Sequence, residues 1–119
     1  MPTRLQLRRT KGWRIPPGTV NCARPGRWGN PFPVEQYGLA LSLALFENAV
    51  RGIWNPATLA GASDLQVVRA YEQHKSFLSR LGGHPEERAQ AELRGRDLAC
   101  WCSLEARCHV DIWMRLANG

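Results

Sequence analysis

The stretch LRGRDLACWCSLEARCHVDIWMRLAN, residues 93–118, decides the fold. Asp97 to Cys102 follows the RGRD turn as a short apolar run of strand length, and Cys108 to Asn118 reads as a final helix. A strand that close to a closing helix needs partners earlier in the chain. Working backwards, Pro85 with Glu86 and Glu87 suits the first turn of a helix through about Leu93, and Gly82-Gly83 ends the helix before it. That earlier helix opens on Ser63 and Gln66, a capping-box pair, and runs to about Leu81 with Leu65, Val68, Tyr71, Leu78 and Leu81 at helical spacing. RGIWNPATLAGA, 51–62, is a linker, and LALSLALFENAV, 39–50, is a helix apolar on most faces and therefore expected to be buried.

The N-terminal third supplies the strands. Leu5 and Leu7 alternate with polar neighbours before the Lys11-Gly12 turn, and TVNCAR, 19–24, is a second short strand stopped by Pro25-Gly26. Pro25 to Gly38 reads as a loop. Two strands, mostly helices, a strand and a helix make one compact α/β domain over residues 1–119, with a small, mainly parallel sheet packed by three to four helices.

Composition narrows the function classes. Of 119 residues, 44% are apolar and 22% charged, as in an ordinary globular chain rather than a disordered one. No stretch reaches the roughly 20 apolar residues that cross a bilayer, and MPTRLQLRRTKGW lacks an apolar signal core, so the expected location is cytoplasmic with no membrane partner. The four cysteines are not spread as a disulfide framework. The net charge of +6 is concentrated: Arg4, Arg8, Arg9, Lys11, Arg14, Arg24 and Arg27 fall within residues 1–34, which contain no acid. Such a field suits a phosphate-bearing small molecule or a nucleic acid, or it is a solvated basic face.

Two blocks carry candidate chemistry. In RPGRWGNPF, 24–32, Gly29 and Asn30 before Pro31 can bring backbone amides close to an anion, Arg24 and Arg27 can fork onto phosphate, and Trp28 offers a face to a base. The bland account is a tight turn with Trp28 and Phe32 over the core. In CWCSLEARCHVD, 100–111, three readings compete. Cys100, Cys102, Cys108 and His109 are a four-ligand zinc set with poor spacing, since zinc cysteine pairs usually have two to four residues between them, Cys100 and Cys102 have one, and Cys108 and His109 are adjacent. Cys108, His109 and Asp111 at a helix start form a catalytic group, the dipole favouring a thiolate and His109 serving as acid or base. Otherwise Cys100, Cys102 and Trp101 fill the two faces of a buried strand, the cysteines as small hydrophobes. His74 is expected to be solvated, His84 to cap or turn, Tyr71 to keep a wet tip, and Trp13, Trp54 and Trp113 to pack.

Together, VNCARPGRWGNPF and the C-terminal CWC…CH-x-D block resemble the family known as domain of unknown function 4326, found largely in bacteria and bacteriophages. The resemblance places Arg24, Gly29, Asn30, Pro31, Cys100, Cys102, Cys108, His109 and Asp111 at motif positions without naming a reaction. PGRW, between the strand and GNPF, is shorter than is common in such proteins. The expectation is a cleft between the GNPF loop and the last helix that binds a nucleotide, nucleoside phosphate or modified base. Any enzyme activity is then that of a nucleotide- or base-modifying hydrolase or transferase. The alternatives are a non-enzymatic nucleic-acid-binding module and a zinc-stabilised adaptor. No cofactor is required, and zinc is the one weakly indicated.

Overall fold

The computed structural model describes residues 2–119. Leu98–Cys100 (β3) is the centre of the fold, pairing parallel with Arg4–Gln6 (β1) on one side and Val20–Asn21 (β2) on the other. Leu98 stands opposite Arg4 and Val20, and Cys100 opposite Gln6. A central strand of a parallel sheet is covered on both faces, which is why β3 is apolar without interruption and wholly buried. Alternation then divides it: Leu98 and Cys100 enter the main core, while Ala99 joins Leu7 and Ala23 in a smaller cluster roofed by Leu5 and Trp13. The strand ends at Cys100, two residues earlier than its composition suggests, and the chain bends at Trp101 and Cys102.

The expected α/β architecture forms, with every strand pair parallel. Four helices of eight residues or more surround the sheet, preceded by the single turn Val34–Tyr37 (α1) inside the expected loop. They are Leu39–Val50 (α2), Asp64–Leu81 (α3), Pro85–Glu92 (α4) and His109–Asn118 (α5), and a 3-10 turn, Pro56–Leu59, occupies the linker. Trp113 of α5 is fully buried and meets Trp28, Phe46 and Phe77 edge-on or tilted at ring separations of 5.1, 5.3 and 6.1 Å. Its indole N–H donates to the Trp28 carbonyl at 2.8 Å, so this large ring is buried with its polar atom satisfied. Among the described residues no helix is long and apolar enough to cross a membrane.

The capping box forms as read, with Ser63 Oγ accepting from the Gln66 amide and the Gln66 side chain accepting from the Ser63 amide. The face that α3 buries is different from the one expected. Ala70, His74, Phe77 and Leu81 point inward, whereas Leu65, Val68 and Tyr71 are exposed. The first turns of α3 project beyond the core, and close approach to the body selects the small Ala70. His74 is accordingly not solvated: it is 4% exposed and lies against the Trp54 ring at 5.3 Å. Burial lowers its pKa. His84 occupies the N-cap position of α4 but makes no side-chain cap bond.

Candidate functional site

Because all three strands are parallel, their carboxyl ends open at the same edge, where ligands of open α/β sheets generally sit. Two loops leave that edge: Cys22 to Pro33 after β2, and Trp101 to Cys108 after β3. Between them lies a cleft of about 250 Å³ whose wall includes Arg24, Asn30, Trp101, Cys102, Arg107, Cys108 and His109. The GNPF loop and the cysteine block therefore face one another.

The loop after β2 is rigidly held. Buried Asn30 accepts the Phe32 amide at 2.9 Å through its side-chain oxygen and donates to Ser42 Oγ at 2.9 Å, and Ser42 in turn donates to the Phe32 carbonyl at 2.5 Å. At Gly29 a side chain is impossible without movement, since a Cβ would sit 2.9 Å from the Arg24 Cα. Arg24, following Ala23 and preceding a cis bond to Pro25, stays exposed and reaches Glu35 at 3.8 Å. It also borders a second groove of about 410 Å³, shared with Asn30 and Pro31 and flanked by Arg69 and Arg80.

Two residues expected at the ligand are used elsewhere. Arg27 makes a two-pronged bond to Glu92 of α4, at 2.5 and 3.0 Å, and donates to the Leu81 carbonyl that ends α3. This bond is the first cause of the lowered Glu92 pKa. Trp28 is only 6% exposed and packs on Trp113, so its ring presents no open face. The exposed aromatic at the cleft is Trp101, 46% accessible, with the Arg9 guanidinium 4.5 Å from its ring centre. The bend after Cys100 turns it outward, and its place between two cysteines was the available signal.

On the opposite wall, Cys108 is the N-cap residue of α5 and His109 its first residue. His109 Nε2 lies 2.7 Å from the Cys22 carbonyl. A carbonyl only accepts, so Nε2 carries a proton, and in the neutral ring Nδ1 presents its lone pair to Cys108 Sγ at 3.7 Å. Asp111 stands outside the cleft, its carboxylate 3.5 Å from Arg4 Nε and its side chain 56% exposed.

The cysteines converge. Among the described residues, the Sγ atoms of Cys100, Cys102 and Cys108 all lie within 4.8 Å of one another, with Cys100 and Cys108 at 2.9 Å, and all the cysteines are free. Cys100 is pushed up by hydrogen bonding to Cys102 and Cys108 and by burial, whereas Cys102 is held low by accepting from both neighbours. Cys108 is also lowered, chiefly through its bond with Cys100. Cys22, deep in the core, is raised to about 12 by burial.

Arg4 completes this corner and was hidden among the basic residues of the sequence. Its Nη2 donates to the carbonyls of Ser103, Leu104 and Ala106 at 3.1, 2.7 and 3.1 Å, tying the loop after β3 to β1. Burial acts to lower its pKa, yet the net direction is up because Cys108, Asp111 and Cys100 face it.

The model of a family described as Domain of unknown function (DUF4326) matches residues 5–119. The chain belongs to this family. The DUF4326 match spans the GNPF loop, the cysteine block and every helix between them. Searches of curated proteins and of solved structures found no match.

Proposed function

We propose that this DUF4326 protein binds a nucleotide, nucleoside phosphate or modified base in the cleft between the GNPF loop and the start of α5. The observation that carries the reading is the pairing of an exposed ring with cations around one hollow: Trp101 and Arg107 border the inner cleft, and Arg24 borders both it and the outer groove. An exposed indole stacks on a base, and guanidinium groups fork onto phosphate oxygens. The inner cleft is smaller than the roughly 300–1,000 Å³ of a drug-sized site, so it suits a base or sugar, with phosphates lying outward past Arg24 towards Arg69 and Arg80. At the inner end, the three thiols and the bare Nδ1 of His109 provide a nucleophile or a proton acceptor for a hydrolase or transferase step.

Thermal melting across a panel of nucleotides, nucleosides and sugar phosphates tests this. At least one nucleotide should raise the melting temperature, and Arg24→Ala and Trp101→Ala should each remove most of the shift. A flat response to the whole panel overturns the reading.

A second reading, a nucleic-acid-binding module, draws on the exposed Arg8, Arg9, Lys11 and Arg14 beside β1, which no acid pairs among the described ion pairs. It requires DNA or RNA affinity that falls steeply with salt through counterion release. Binding that is absent or indifferent to salt excludes it.

A further inference from the structure

We propose that Cys100, Cys102 and Cys108 form a zinc site of three thiolate ligands, with the fourth coordination position open to the cleft. The proposal goes beyond nucleotide binding and does not depend on it, and it makes the three sulfurs metal ligands in place of nucleophiles.

Zinc–sulfur bonds of about 2.3 Å in a tetrahedral set place two sulfurs about 3.8 Å apart. The three Sγ atoms, with one pair at 2.9 Å and all within 4.8 Å, are gathered closely enough to share one ion after small side-chain adjustments. The ligands also come from well-fixed points. Cys100 ends the central strand, its carbonyl accepting the Leu7 amide at 2.8 Å, and Cys108 stands at the N-terminus of α5, whose positive dipole end favours an anionic sulfur. Cys102 sits on the bend and is only partly buried. The spacing that argued against zinc along the sequence is met in space, because the bend and the returning loop replace a compact ligand pair.

The Arg4 side chain is only 10% exposed, and its buried Nη1 has no hydrogen-bond partner. A buried guanidinium needs a counter-charge, and the carboxylate that reaches it, Asp111, is mostly in solvent at 3.5 Å. Were the thiols neutral, Asp111 would be its only counter-charge among the described residues. One divalent zinc with three thiolates carries a single net negative charge, which Arg4 neutralises. Sulfur-rich donors select soft or borderline ions, and zinc accepts three thiolates without redox change.

His109 turns its Nδ1 towards Cys108 Sγ at 3.7 Å but is not part of the set, because among the described residues only the sulfurs of Cys100, Cys102 and Cys108 all come within 4.8 Å of one another. Three protein ligands with a vacant position are the pattern of zinc sites that bind a water or a substrate atom. All three cysteines line the cleft, so the vacancy faces it. On coordination each sulfur that enters as a thiol releases its proton to solvent, and no electron moves.

The test uses the full chain purified without chelator. Elemental analysis should give about one zinc per chain, and cobalt(II) added to stripped protein should give the intense sulfur-to-cobalt absorption of a tetrahedral thiolate site. Cys102→Ser, outside regular structure, should lose most of the metal while keeping the far-ultraviolet circular dichroism of the parent. Cys22→Ala, which alters a core cysteine outside the three-sulfur set, should keep it. Arg4→Gln should weaken zinc affinity by about 10–100-fold in chelator competition, the range seen when groups supporting metal ligands are removed. Substoichiometric zinc without cobalt–sulfur absorption, copper or iron in its place, or full retention in folded Cys102→Ser overturns the proposal. A zinc-loaded protein that ignores every nucleotide would overturn the preceding reading and leave this one standing.

Discussion

Asn30 and Ser42 show how a residue that reads as a ligand contact becomes part of the wall that holds one. Each hydrogen bond they make fixes the loop around Phe32, and both side chains are buried. Asn30→Ala leaves the Phe32 amide and Ser42 short of partners, a loss of about 1–3 kcal/mol, which chemical denaturation should register. Gly29→Ala should also destabilise, because the Cβ has only the Arg24 backbone and side chain to push against. His74 yields a pH prediction. Its folded-state pKa lies below the unfolded value of about 6.5, so below that pH the unfolded chain takes up a proton that the folded chain refuses, and stability falls. His74→Met removes this proton uptake. Urea titrations at pH 7.5 and pH 5 should show a smaller acid loss in the variant than in the parent, and equal losses would refute the assignment. The sequence does not disclose His74 or Arg4, because local polarity suggests solvent and only distant packing encloses them.

Elements were legible where their signals are local. The Ser63–Gln66 box sets the start of α3 within three residues of chain, and Ser63→Ala should cost about 1 kcal/mol, measured as a lower melting temperature. Gly82, left-handed at φ 73°, ends the helix as expected. The buried face of α3 was less legible, since Leu65 and Val68 carry more apolar surface than Ala70 yet project past the core. Arg27 illustrates the same limit. Beside GNPF it suggests an anion site, but its partner Glu92 lies 65 residues away on α4. Arg27→Met should therefore lower stability and leave nucleotide-induced melting shifts unchanged, the opposite of Arg24→Ala.

At the scale of the molecule, the order of strands and helices gave away the α/β class, and the two motif blocks gave away which loops face each other. Convergence of the thiols was not readable, because it depends on a bend after Cys100 and on the Arg4 clamp across 99 to 102 residues of sequence. The aromatic roles of Trp28 and Trp101 exchange for a similar reason: one anchors the core beside Trp113, the other is left outside by the end of β3. Trp113→Ala should remove about 3–5 kcal/mol, enough to unfold much of a domain of this size, with loss of near-ultraviolet circular dichroism as the readout.

The position of β3 between β1 and β2 has a consequence for biosynthesis. Neither early strand pairs with the other, and both await a segment that begins at Leu98. A nascent chain halted before that point has helices but no sheet, and hence no cleft. Formation of the sheet on the ribosome is thereby deferred until β3 clears the exit tunnel, and the long-range closure it requires slows the step relative to helix formation. The same event that completes the sheet brings the cysteines together, so a partly synthesised chain never displays the site.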